Sequence, residues 1–184
     1  MIKHYNYLKE RIYLLEKCDC IPIVDSSLNV KAIANYFWHL YSFGVDLMKL
    51  KNLLYLSYGY YLAIKNDILF NSHIEAWSYG IVIPQIYFEF VSEFGNDPIT
   101  RYAIDYDGGK PFIPMIYDEF KISFLNEIYK TFDKFTGIQL SNMTHDEDGP
   151  WYITWQKNKE RSIIDNNLIK DYFFKKLRKS NERS

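Results

Sequence analysis

From Asp46 onward the chain carries its most regular apolar spacing: Leu50, Leu53, Leu54, Tyr58, Tyr61 and Leu62. Offsets of three and four place these residues on one helical face, a stripe about one-third of the circumference wide. Asp46 is positioned to cap the first amides of that helix. Such a stripe must be covered by other elements, so a central core helix from Leu47 to Lys65 is expected, with Lys49, Lys51 and Lys65 in water. The rest of the chain is read by asking what can pack around it.

Upstream, Tyr7, Leu8, Ile12 and Leu15 give residues 3–17 an amphipathic helical pattern. Ile21 to Val24 reads as extended beside Pro22. Ser27 can then cap an aromatic helix running to about Phe43 and ending at Gly44, with His39 inside it as a hydrogen-bonded, half-buried imidazole. Downstream, residues 67–70 and the alternating run His73 to Gly80 predict two short extended segments forming a hairpin. Pro84 fits the first turn of a helix from Ile83 to Phe94, stopped by Gly95. Gly95, Pro98, Gly108, Gly109, Pro111 and Pro114 make residues 95–117 the longest irregular or β-like connection. Asp118 and Glu119 open a helix with Ile122, Leu125, Ile128 and Phe132 inward, and Thr136 caps another from Gly137 to about His145. Pro150 restarts a helix with Trp151 and Trp155 on one face, both assigned to the core. A last helix, capped by Asp165, buries Leu168, Ile169, Tyr172, Phe173 and Leu177. The expected fold class is mostly α, an α-rich α+β domain with a small β element near residues 67–80.

At 184 residues and 48% hydrophobic content the chain suits a single core. The expected division is an N-terminal extension over residues 1–27, one domain over 28–178 and a basic tail over 179–184. Twenty-two basic against 23 acidic residues leave a net charge of -1, so no global field draws in nucleic acid or an anionic membrane. The stretch from Lys170 is locally basic through Lys175, Lys176, Arg178, Lys179 and Arg183, which reads first as a solvated helix end favoured by the macrodipole. Cys18 and Cys20 are too close for an ordinary disulfide and lack the second ligand pair of a structural zinc site, so free thiols in a reducing compartment are expected. Met1 to Lys17 has no uninterrupted apolar run of a signal peptide, and Ala32 to Val45 is too short to span a bilayer. The expectation is therefore a cytoplasmic protein.

Three blocks, in order and in register, resemble the Panacea domain of SocA-like antitoxins and phage-associated proteins. The first is Leu47 to Gly59, with Lys51, Leu53 and Tyr55. The second is Ile74 to Tyr87, with Glu75, Ala76, Trp77, Gly80 and Pro84. The third is Leu140 to Trp151, with Thr144, His145, Gly149, Pro150 and Trp151. The segment Ile163 to Phe173 is similar to that family's closing helix. Ile81 departs from the pattern, standing where the family most often has proline, which removes a restraint worth ~0.5 to 1 kcal/mol. The resemblance implies a protein that binds and blocks a toxin encoded next to it, with one branch handing its toxin to a Clp-type protease. It implies no catalytic residue, cofactor or metal, and a structural role for the motif residues.

An enzymatic alternative would use His145, Asp146, Glu147 and Asp148, with His73 and Glu75, as the metal or acid–base cluster of a small metal-dependent hydrolase. No His-Glu-x-x-His spacing, nucleophile elbow or phosphate-cradling glycine loop accompanies them. The structural reading places His145 at a helix end, satisfying free carbonyls, and the acids before the next helix start. Aromatic residues make up 18% of the chain, a composition shared by cores and interfaces. Trp77, with Glu75 and Tyr79 at two-residue offsets, reads as an exposed anchor, and Trp77, Tyr79 and Tyr87 are the candidate partner-binding residues.

Overall fold

The computed structural model describes residues 21–42 and 44–181, so the expected helix over residues 3–17 and both cysteines lie outside the described residues. In chain order these residues form β1 (Ile23–Asp25), α1 (Val30–Leu40), β2 (Val45–Asp46), α2 (Leu47–Lys65), β3 (Glu75–Trp77), β4 (Gly80–Val82) and α3 (Pro84–Phe94). Then follow β5 (Pro98–Ile99), β6 (Asp105–Asp107), β7 (Lys110–Met115), α4 (Glu119–Phe132), α5 (Gly137–Thr144), α6 (Pro150–Asn158), β8 (Ser162–Ile163) and α7 (Asn166–Asn181). The fold is the α-rich α+β class, with seven helices and three small sheets among the described residues.

Helix α2 starts where its spacing demands: the Lys49 amide donates to Asp46 Oδ1 at 2.7 Å. Its buried surface, however, is far wider than one stripe. Leu47, Leu50 and nearly every residue from Asn52 to Leu62 are buried, because α1, α3, α4, α5 and α7 all pack on it. Lys65 stays in solvent, its Nζ 4.2 Å from the Phe120 ring centroid. Lys49 and Lys51 do not, contrary to expectation. Lys49 Nζ donates to the Asp133 carbonyl at 2.8 Å, and desolvation holds the Lys51 ammonium below its ordinary pKa.

Other boundaries differ for local reasons. The cap of α1 is Asn29, not Ser27: its Oδ1 accepts from the Lys31 amide while its Nδ2 donates to Asp105. That helix stops at Leu40, short of the expected end, as Ser42 turns into the left-handed region at φ 51°. Residues 67–70 form no strand. Leu69 and Phe70 are instead fully buried, with Phe70 4.7 Å from Tyr58, and the hairpin partner of β3 is β4. The Thr136 cap of α5 forms as a reciprocal capping box with Gln139. In α4 the inward positions are Leu125 and Ile128, with Ile122 and Phe132 half-buried and Lys121 buried. In α7, Ile169 and Phe173 are buried while Leu168, Tyr172 and Leu177 are half-buried.

The glycine-rich connection yields a β6–β7 hairpin turned at Gly108 and Gly109, both at positive φ, as a two-residue hairpin loop requires. β1 pairs parallel to β7, Ile23 opposite Ile113. Two buried polar side chains tie the helices to their surroundings, Asn35 to this layer and Lys121 to the connections at Ser27 and Leu69. Asn35 donates to the Ala103 and Pro114 carbonyls and accepts from the Ala103 amide. Lys121 Nζ donates to the carbonyls of Ser27 and Leu69.

Helix α7 closes on α2 where Gly59 faces the Phe173 ring, and a Cβ at Gly59 would overlap that ring. Gly59→Ala should therefore destabilise the protein by about 1–3 kcal/mol in chemical denaturation, as overpacking does. Phe173→Leu should restore part of that loss in the double variant, a coupling that independent sites would lack.

Candidate functional site

The residues set apart by pattern meet at one corner of the fold. Strands β3 and β4 form a tight hairpin whose register places Glu75 opposite Val82 and Trp77 opposite Gly80. Gly80 takes φ +117°, a conformation side-chain-bearing residues avoid, and permits the reversal after Ser78 and Tyr79. Ala76 is fully buried beneath the hairpin, and β8 adds on the other side, Ile163 opposite Glu75. Pro84 then opens α3 at a position where no amide donor is missed.

The junction of α5 and α6 locks onto this hairpin. Trp151 Nε1 donates to the Trp77 carbonyl at 2.9 Å, and the His145 ring stacks on Trp151 with centroids 4.3 Å apart. A Cβ at Gly80 would lie 2.5 Å from His145 Nε2, so only glycine fits there. Behind them Thr144 Oγ1 donates to Asn52 Oδ1 at 3.3 Å, joining the third motif to α2. Leu53 and Tyr55 are buried on that helix.

His145 differs from its expected role. It is the residue closing α5, yet its side chain satisfies no carbonyl: Nε2 is buried without a hydrogen-bond partner. Desolvation, reinforced by the nearby Lys51 charge, holds its pKa below the ordinary 6.5. The ring is a neutral packing element, not a cationic cap. Asp146, Glu147 and Asp148 stand before the start of α6 as expected, although its cap, Gly149, makes no side-chain hydrogen bond; Asp146 Oδ2 in addition accepts from Lys176 Nζ and from the Tyr172 hydroxyl, each at 2.6 Å. These bonds hold the Asp146 carboxyl below its usual range. Among the described residues no three His, Cys, Asp or Glu side chains stand together as ligands for a metal ion, so the cluster around His145 is not assembled as a metal site. His39 is buried and shares a 2.8 Å hydrogen bond with the Tyr102 hydroxyl.

The outer side of the hairpin is aromatic. Trp77 is half-buried where exposure was expected, because the Arg161 guanidinium lies 3.8 Å over its ring and Tyr87 packs against it at 5.2 Å. Its Nε1 donates to Glu75 Oε2 at 2.7 Å. Tyr79, at the turn, is 92% exposed, and Phe88, 6.2 Å from Trp77, is 62% exposed. The structure thus joins Trp77 to Tyr87 and leaves Tyr79 projecting beside them. Sequence reasoning missed Phe88, although it sits next to Tyr87. It also missed Arg161, whose place depends on the β3–β8 pairing. Trp155, assigned to the core, is half-buried against it like Trp151.

Neutral His145 makes the fold sensitive to acid in a defined window. Its folded-state pKa lies below 6.5, so the unfolded chain takes up the proton first. Stability is undiminished above pH 6.5 and falls as pH drops from there toward the folded value, by at most about 1.4 kcal/mol per pH unit. His145→Gln should flatten that decline in urea titrations between pH 6.5 and 5. The Asp146 contribution is separable, because its carboxylate is lost only below 3.8.

Comparison with known proteins adds one match. The family model described as antitoxin SocA-like, Panacea domain, matches residues 47–152, a span containing all three motif blocks. No curated protein and no solved structure matches the chain.

Proposed function

From the premise that this chain belongs to the SocA-like antitoxin, Panacea-domain family, we propose that it binds and neutralises a cognate protein toxin encoded by an adjacent gene. Family membership supports an antitoxin-type role with a protein partner. The identity of that partner as a neighbouring toxin, and the surface that holds it, are our reading.

The observation that carries the choice of surface is the aromatic patch on the hairpin. Trp77, Tyr79, Tyr87 and Phe88, flanked by Arg161, have the composition of interface anchors, which concentrate in Trp, Tyr and Arg. Trp77 is already oriented by Glu75, Arg161 and the Trp151 contact to its carbonyl, so binding orders little there and loses little entropy. Tyr79 and Phe88 offer apolar area that the fold itself leaves uncovered. A stable interface buries about 800 Å² per partner, so neighbouring residues must join this patch. In this reading Glu75, Gly80, His145 and Trp151 act by holding the hairpin in shape, and no residue performs bond chemistry. No described helix is long and apolar enough to cross a membrane.

Co-expression with the adjacent gene product tests the proposal. The wild-type chain should restore growth. Tyr79→Ala and Phe88→Ala should keep stability within about 0.5 kcal/mol, as exposed substitutions do. Each should weaken toxin binding by roughly tenfold or more, as loss of an interface anchor does. Unchanged binding in both variants would remove the hairpin from the interface. Following the toxin's level in the same cells separates two modes: rescue at constant level is sequestration, whereas protease-dependent loss is delivery to a Clp-type protease.

A further inference from the structure

One face of the β1–β7–β6 sheet is buried in a way that the described helices do not explain. In a strand, residues two apart share a face, and residues paired on neighbouring strands share it as well. The register therefore brings Pro111, Ile113 and Met115 of β7 together with Ile23 of β1 and Tyr106 of β6. Ile113 is 7% exposed and Met115 3%, yet neither belongs to the main core, whereas Ile116, turned the other way, does. Among the described elements the main neighbours of β7 are β1, β6 and α1. The two strands flank it in the plane of the sheet and cannot cover a face. Every buried apolar residue of α1 belongs to the main core, so α1 lies on the Ile116 side.

The cover must then come from residues outside the described ones. Residues 182–184 are Glu, Arg and Ser, and residue 43 is a single Phe. Residues 3–17 instead carry Tyr7, Leu8, Ile12 and Leu15 at helical spacing. The chain enters the sheet directly after them, where the Ile113 amide donates to the Pro22 carbonyl at 2.8 Å. Four chain steps separate residue 17 from residue 21, so the segment ends within about 14 Å of the start of β1. As a helix, residues 3–17 span about 22 Å, close to the length of about 20 Å expected for a strand like β7. Charge agrees with this placement. Lys3, Lys9, Arg11 and Lys17 outnumber Glu10 and Glu16. Asp25 and Asp107, exposed on the two outer strands, form no salt bridge among the described residues and can face those cations.

We propose that residues 3–17 dock as an amphipathic helix across this sheet face, with Leu8, Ile12 and Leu15 packed on Ile113 and Met115. The segment ahead of the family-matched span is then a structural layer of the same domain, occupied by its own chain and closed to other partners. The proposal goes beyond the antitoxin reading and does not depend on it.

Methyl NMR on the full chain, labelled at Ile, Leu and Met, reads the contact directly. Ile113 or Met115 should show NOEs to Leu8, Ile12 or Leu15. Ile12→Asp should erase them, shift the Met115 methyl resonance and lower the urea midpoint. The milder Ile12→Ala keeps the test available where the aspartate prevents folding. It should shift Met115 and lower the midpoint by roughly 1 M, as loss of a packed side chain does. Combined with Met115→Ala it should lose less than the two single losses together, the mark of side chains in contact. Ile153→Asp, on the exposed side of α6, should leave the Met115 resonance unmoved. A folded wild-type chain without these NOEs overturns the proposal, as does Ile12→Ala with both Met115 and the urea midpoint unchanged. NOEs found only between differently labelled copies also overturn it, and assign the face to a dimer.

Discussion

Helix α2 is enclosed on almost every side, and the organisation of the other elements follows from that enclosure. A helix packed all round cannot turn its polar residues to solvent, so Asn52 and Ser57 are satisfied inside the fold, while the buried Tyr55 hydroxyl has no hydrogen-bond partner. Asn52 donates to Met48 and Gly137 carbonyls while accepting from Thr144, and Ser57 Oγ donates back to the Leu53 carbonyl. The same demand brings α5 close: a Cβ at Gly137 would lie 2.9 Å from Asp46 Oδ1 and from the Lys49 amide. The start of α2 and the start of α5 thus share one crowded polar seam.

That seam explains how motifs far apart in sequence act as one unit. The first block supplies the helix, the third is drawn to it through Asn52 and Thr144, and His145 and Trp151 follow directly after. Their rings then fix the second block, with Gly80 under the imidazole and the Trp77 carbonyl on the indole. Each contact uses a feature that would be unremarkable alone, such as a missing side chain, a neutral ring or a single N–H. Together they hold the hairpin and its aromatic outer side in one orientation.

Much of this was legible in the chain. The Asp46 cap, Pro84 and Pro150 at helix starts, the Thr136 cap and the Gly95 stop are local signals, decided by a few neighbouring residues. What escaped depends on distant partners. The apolar period of α2 marks one face but cannot count how many helices will surround it, so Lys49 and Lys51 were placed in water. Residues 67–70 resemble a strand in composition, yet burial of Leu69 and Phe70 beneath the helices decides their course. At the site, the aromatic residues were readable from Trp77, Tyr79 and Tyr87. The neutral state of His145 and the attachment of Asp146 to α7 were not, since both arise from packing between elements.

Arg161 reaches Trp77 because the chain leaving α6 turns at Lys159, in the left-handed region at φ 55°, and returns as the two-residue β8. Residues 156–161 are exposed throughout. Exposed turns of this kind are where proteases cut most readily. A single nick between Lys159 and Arg161, beyond the end of α6, would leave every described helix with its own hydrogen bonds, yet remove the tether on one side of the guanidinium that covers the indole. The quality of the aromatic surface thus depends on the continuity of a connection that contributes almost nothing to the core.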